Sequence, residues 1–268
     1  MENRWLRNGK VWTGQCGARC SVCCLICSVA GNCNSASTQT CLTMLVMRPD
    51  RLSKLVAFGP IESHCAGEVF YSLDFKEELY IVKTGYVKRY SVMADKQKVI
   101  ESIYGPGYFF PLTSVYSTLL HFNLSQEINT YVYQAMTDVE IQGISSAKLL
   151  SAVTDDPSLY KDLFYEAGVR LRANINRLSS NALKNDYQKV THQLAYLAEE
   201  FGVLDECGVK PVQRIPLPLE PIEIAEQLNI SEETAIQAFQ KLQAHDIIIV
   251  ENSYILITDL NLLKDSYL

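Results

Sequence analysis

No apolar run in this chain approaches the ~20 consecutive residues that a membrane-spanning helix needs. Histidine is scarce: four residues, spread without metal-ligand spacing. Adjacent His64 and Cys65 would face opposite sides of a strand, which speaks against a Cys–His nucleophile pair. No other catalytic constellation stands out, so an enzyme is not expected. Arginine is missing between Arg89 and Arg170, and no acidic residue lies between Phe109 and Gln126. Cations are few. The formal charge is −6, and from Lys184 onward six Lys/Arg face fourteen Asp/Glu, leaving that half near −8. Such a balance argues against a general nucleic-acid binder. What the chain does have is hydrophobic residues, 48% of 268, enough for two modest domains with their own cores.

Its organising stretch is PIEIAEQLNISEETAIQAFQKLQAHDIII, Pro221–Ile249. Ile222, Ala225 and Leu228 make one helical face, Asn229 breaks it, and Ile230 plugs a turn. Ser231, followed by Glu233 and Thr234, has the form of an N-cap with acidic residues in the first turn. Ala235, Ala238/Phe239 and Leu242 repeat close to a 3.6 period. His245-Asp246 ends that helix, and IIIVENSYILIT reads as a hairpin turning near Asn252-Ser253. Helix, turn, helix, hairpin is the order of a winged helix-turn-helix, whose second helix enters the DNA major groove. A small helical packing module would show the same pattern.

The segment Ile224–Ile249, with Ile224-Ala225, Ser231-x-Glu233-Thr234 and the exit from Leu242 to Ile247, resembles the DNA-binding segment of the Crp–Fnr family of bacterial transcription regulators. The resemblance extends from about Leu52 to the C-terminus. Between Gly67 and Ser145, short Val/Ile/Tyr-rich runs are punctuated by Gly, Asp and Pro, which predicts a β-sandwich or barrel of jelly-roll type. Gly85 breaks one run and Gly105-Pro106-Gly107 makes a turn. YIVKTGYVKRY followed by YGPGYFF is similar to the sensor barrel of that family. In its cyclic-nucleotide branch, the loop after the corner carries a Glu for the ribose and an Arg-Ser/Thr pair for the phosphate. The loop here has neither, so cyclic AMP is not the expected effector. Tyr108, Phe109, Phe110, Leu112, Thr113 and Ser114 either line a pocket for an apolar or planar small molecule or fill the barrel.

Asp155–Ala182 reads as one long helix opened by Thr154/Asp155 and Pro157. Phe164, Gly168, Leu171, Ile175, Leu178 and Ala182 form a heptad seam. The resemblance makes this the dimer helix, although the same stripe would serve packing on the barrel. Asn174 and Asn181 flank the seam. Lys184-Asn185-Asp186 is the expected hinge, and Tyr187–Phe201 a helix behind the helix-turn-helix. Pro211, Pro216 and Pro218 would limit the next strand to edge pairing.

By resemblance, the DNA-reading positions are Ser231, Glu232, Glu233, Thr234, Gln237, Gln240 and Lys241. Glu233 matches a residue that accepts from cytosine N4, and Gln237 has the chemistry to read adenine. Glu232 stands where the family has an arginine for guanine. Lys241 is the single cation on this helix, so phosphate contacts are few; Lys184, Lys189 and Lys210 are candidates to add some.

Residues 1–46 hold seven of the nine cysteines. Three readings stay open: a disordered leader or mis-called start, a secretory signal, or a metal site. For the last, Cys16-x3-Cys20-x2-Cys23 followed by Cys33 is similar to the iron–sulfur cysteine cluster of the Fnr branch, with Cys20, Cys23 and Cys33 as the implied ligands and Cys27 as a substitute for Cys33, whose spacing departs from the pattern. The fourth ligand position of that branch, near Ile141-Gln142-Gly143, holds no cysteine here.

The expected fold is α+β, with segments 1–46 (leader), 47–153 (cyclic-nucleotide-binding-like jelly-roll barrel), 154–184 (dimerisation helix and hinge) and 185–268 (winged helix-turn-helix). The function implied is a cytoplasmic, homodimeric transcription regulator. Its partners would be double-stranded DNA, RNA polymerase and an unidentified small-molecule effector, with no membrane. The alternative is a degenerate regulator that binds proteins through the winged helix and no longer touches DNA.

Overall fold

The computed structural model describes residues 4–7, 10–13, 59–71, 78–93, 96–112, 131–205, 212–251 and 254–266. Contacts divide the chain into two units, Met1–Arg48 and Pro49–Leu268. In the first, β1 (Arg4–Arg7) and β2 (Lys10–Thr13) pair antiparallel, with Trp5 opposite Trp12. Four-residue strands are too short to show a period in the sequence, which is why this hairpin was not expected.

The second unit begins with eight strands: β3 (Ile61–His64), β4 (Val69–Tyr71), β5 (Glu78–Thr84), β6 (Val87–Val92), β7 (Lys98–Tyr104), β8 (Phe109–Phe110), β9 (Tyr131–Ala135) and β10 (Val139–Ser145). They form two antiparallel sheets in the orders β3-β10-β5-β8 and β4-β9-β6-β7. First strand beside last and second beside second-to-last is the wrapping of a jelly roll. In β5, Leu79, Tyr80, Ile81 and Val82 are all buried. Tyr80 and Val82 face the opposite sheet, while Leu79 and Ile81 face helices. A strand covered on both faces reads as a continuous apolar run. Gly85 turns the β5–β6 hairpin at φ +77, where an added Cβ would lie 2.2 Å from the Asp138 carbonyl oxygen.

After β10 the chain forms α1 (Ser146–Asp155) and α2 (Leu159–Ala182). The long helix expected over Asp155–Ala182 is α2, which starts at Leu159 rather than Asp155, and α1 before it was not expected. Ser145 caps α1 by accepting from the Lys148 N–H at 3.3 Å. The break falls at Asp156-Pro157, where the Asp156 carboxylate accepts from the Ser158 N–H at 3.1 Å. Then follow α3 (Asp186–Phe201), β11 (Val203–Asp205), β12 (Val212–Ile215), α4 (Pro221–Leu228), α5 (Glu232–Ala244), β13 (Ile248–Glu251), β14 (Tyr254–Ile257) and α6 (Leu260–Asp265). At the hinge, the Asn185 side chain accepts from the Tyr187 N–H at 2.9 Å and caps α3.

One apolar cluster joins the two halves of this unit. Tyr90, Ile100 and Ile103 from the sheet pack with Val190, Leu194, Ile224, Leu228, Phe239 and Leu242. Lys88 on β6 adds an ion pair to Glu223 on α4 at 3.7 Å.

Candidate nucleic-acid interface

The helix-turn-helix is built by local signals. Pro221 opens α4, and Glu220 and Glu223 form a reciprocal capping box, which satisfies two orphan N–H groups. Asn229 ends α4 in the left-handed conformation, φ 55 and ψ 47, which asparagine tolerates well among non-glycine residues. Ile230 packs against the apolar cluster. Ser231 Oγ accepts from the Thr234 N–H at 3.1 Å and lies 2.7 Å from Thr234 Oγ1.

Helix α5 buries Ala235, Ala238, Phe239 and Leu242. Its other face exposes Glu232, Glu233, Ile236, Gln237, Gln240 and Lys241, with Ser231 exposed at the cap and Thr234 half-buried. The expected DNA-facing residues therefore share one side of one helix. Ile236 was not among the expected DNA-facing residues, although it lies off the apolar period of Ala235, Ala238/Phe239 and Leu242 and is exposed. Lys241 Nζ lies 4.2 Å from the Tyr187 ring centroid, so the single cation of α5 is held against α3 rather than splayed freely. Lys189 is paired with Asp186 at 2.7 Å, Lys184 is exposed, and Lys210 lies outside the described residues.

The wing is the β13–β14 hairpin, extended by β12 and β11 in the order β11-β12-β14-β13. The edge-pairing expectation for the proline-flanked strand is corrected, since β12 pairs on both sides. Pro216 and Pro218 fall after it, where no ladder N–H is required.

Along α2, Phe164, Leu171, Ile175 and Leu178 are 80%, 60%, 54% and 67% exposed, and Gly168 and Ala182 are exposed with them. The seam does not pack on its own jelly roll. The opposite face does: Leu163 and Leu159 are buried beneath the first sheet. Arg172, off the seam, is ion-paired with Glu200 on α3.

The residues expected around an effector are not gathered about one open cavity. Phe109 and Leu112 are buried with α1 and α2, whereas Tyr108 and Phe110 are buried in the aromatic cluster between the sheets. Adjacent β8 residues point to opposite faces, which separates the pair. Thr113 and Ser114 lie outside the described residues. Inside the roll, Phe110 stacks on Tyr133 at 5.2 Å and on Tyr80 at 5.8 Å. Arg89 is paired with Glu101 at 2.9 Å. Burial opposes the Arg89 charge, but Tyr104, Tyr133 and Glu101 outweigh it and hold the guanidinium above its ordinary range.

Cys20, Cys23 and Cys33 also lie outside the described residues, and the iron–sulfur reading rests on them. Cys65 is exposed and free, and among the described residues no three His, Cys, Asp or Glu side chains converge as metal ligands.

Two titrating groups sit at the seams between elements. Burial raises the Glu226 carboxyl on α4 above the ordinary range, against the pull of Lys88 and Lys98. Burial lowers the His192 imidazole, against Glu199, and its Nδ1 lies 2.6 Å from Ser180 Oγ on α2.

A jelly roll, a long helix with an unpartnered apolar seam, and a capped helix-turn-helix with a wing define a winged-helix DNA-binding protein carried behind a sensor-type domain. Residues 188–266 match the Crp-like helix-turn-helix domain family. A CRP-like cAMP-activated global transcriptional regulator of Mycobacterium tuberculosis is 25% identical over 202 residues, 75% of this chain and 84% of that protein. FixK2 from Bradyrhizobium japonicum superposes with a TM-score of 0.62 at 19% identity, covering 77% of this chain and 96% of that one. A Crp/Fnr-family transcriptional regulator from Thermus thermophilus gives 0.57 at 21%, covering 78% and 98%. The chain is a transcription regulator with a Crp-like helix-turn-helix domain, and its fold is that of solved Crp/Fnr-type regulators. The matched relatives are regulators rather than enzymes. Among the described residues, no helix is long and apolar enough to cross a membrane.

Proposed function

We propose that this chain acts in the cytoplasm as a homodimer, pairing α2 with α2 and reading a two-fold DNA site with two copies of α5. The observation that carries the reading is the exposed α2 seam, four large apolar side chains at heptad spacing. A water-facing stripe of this kind is costly unless a second helix covers it. Gly168, whose added Cβ would meet nothing within 4 Å, leaves room for a close approach there.

On α5, Glu233 accepts from cytosine N4, Gln237 and Gln240 suit adenine edges, and Ile236 suits a thymine methyl group. Ser231 and Thr234 hold the helix start. Glu232 lacks the donors to read guanine, so the preferred half-site differs from one read by arginine. The mycobacterial relative is described as cAMP-activated. Two features support a different effector here: the absence of arginine between Arg89 and Arg170, and an interior filled by stacked rings with Arg89 already paired.

The test is selection of random duplexes by the purified full-length protein at low salt, with winners retested across a salt series. A recovered palindrome supports the reading. A folded dimer that enriches nothing, aerobically or anaerobically, sinks it.

A further inference from the structure

Where the jelly roll meets the helices, β7, α2, α3 and α4 enclose a cavity of about 40 Å³, room for a few waters or one small polyatomic ion. Its lining comes from segments far apart in the chain. Arg170, Asn176 and Arg177 belong to α2, Gln193 to α3, Gln227 to α4 and Glu101 to β7. Several of the polar atoms there have no partner. Arg170 Nε and Nη2, Asn176 Nδ2, Gln193 Oε1 and Gln227 Nε2 are buried without a hydrogen-bond partner. Gln193 and Gln227 are each 6% exposed, and the first donates to the second at 2.7 Å. Reversing both amides leaves the same balance, one donor and one acceptor unused.

The character of the unmet groups is one-sided. Donors outnumber acceptors, and two of the donors form the Nε–Nη2 edge of one guanidinium. That edge grips two oxygens of a carboxylate or phosphate in parallel. Arg170 is set in place for such a role, lying 4.1 Å from the Tyr104 ring centroid and 4.9 Å from that of Tyr108. Arg177 adds positive charge. Glu101, the acidic lining residue, is engaged by Arg89.

We infer that this junction binds a small oxyanion: inorganic phosphate, or the terminal phosphate or carboxylate of a small metabolite. The inference rests on the reading of the chain as a DNA-binding regulator for its consequence, though not for the site itself. An anion held by Arg170 and Asn176 on α2 and Gln227 on α4 ties the long helix to the first helix of the helix-turn-helix. Its occupancy therefore sets the position of α4, and with it that of α5.

The experiment is calorimetric titration of the full-length protein with sodium phosphate, and separately with sodium acetate, against sodium chloride at matched ionic strength. Saturable binding of one anion per chain is expected. Asn176→Asp exchanges a donor for a carboxylate of the same shape, and Arg170→Lys keeps the charge but loses the paired edge. Each should weaken binding by about tenfold or more. Phosphate binding without acetate binding assigns the phosphate source, and acetate binding the carboxylate. Heats that do not saturate with either anion, or binding unchanged in both variants, overturn the site; waters then fill the cavity. DNA affinity measured with and without the bound anion tests the coupling. A shift present in the wild type and lost in Asn176→Asp supports it, and an unchanged affinity overturns it. Anion binding by a protein that takes no DNA under any condition defeats the regulator reading and leaves the site standing.

Discussion

Ser231 has one backbone task, accepting from the Thr234 N–H at the start of α5. Replacing it with alanine should cost about 1 kcal/mol of stability, read as a lower urea midpoint at unchanged slope. Gln237 has no packing task. Gln237→Ala should leave the urea curve in place yet relax discrimination at one base position by about 1–3 kcal/mol, read from competition with single-base variants of the selected site. His192 gives a pH test. Burial holds its folded-state pKa below the unfolded one, so the unfolded chain takes up the proton first. Its contribution is complete above the ordinary histidine value of about 6.5 and is lost as pH falls through the lower folded one. His192→Gln should flatten the decline of Tm below that pH; an equally steep decline in the variant would place the titration elsewhere.

At the scale of elements, the α2 seam carries the dimer prediction. Leu171→Glu or Leu178→Glu places charge in the middle of an apolar stripe and should convert the dimer to a folded monomer in sedimentation. Since both side chains are exposed in the single chain, the circular dichroism spectrum should change little. Much of this level was legible beforehand. The helix-turn-helix follows from short-range signals, with Asn229 as stop and Ser231 as cap, and the seam from period alone. The α1 helix was not legible, because SSAKLL is short and follows a buried strand without a break. Nor was the junction cavity: Glu101, Arg170, Gln193 and Gln227 are distant in sequence, and no local pattern brings them together. Arg170 stands off the seam, and that position alone does not reveal the tyrosines beneath it.

For the molecule as a whole, charge sets how it meets DNA. A half near −8, with Lys241 held on Tyr187 and Lys189 paired to Asp186, leaves few cations for phosphates. With about two contacts per subunit, log K should fall with log salt at a slope of about −4 or shallower. A much steeper slope would show that cations outside the described residues take part. Stability depends instead on the apolar cluster shared by the sheet and the winged helix. Leu194 is fully buried in it, and Leu194→Ala should cost about 2–5 kcal/mol, read by urea denaturation.

That shared cluster also bears on how the protein can be cut. Tyr90, Ile100 and Ile103 on one side, and Ile224 and Leu228 on the other, belong to a single core. A fragment starting at the hinge would carry a raw apolar wound where the sheet had been, inviting self-association. Chimeras that exchange DNA-binding halves between relatives would have to carry the β6–β7 hairpin with them.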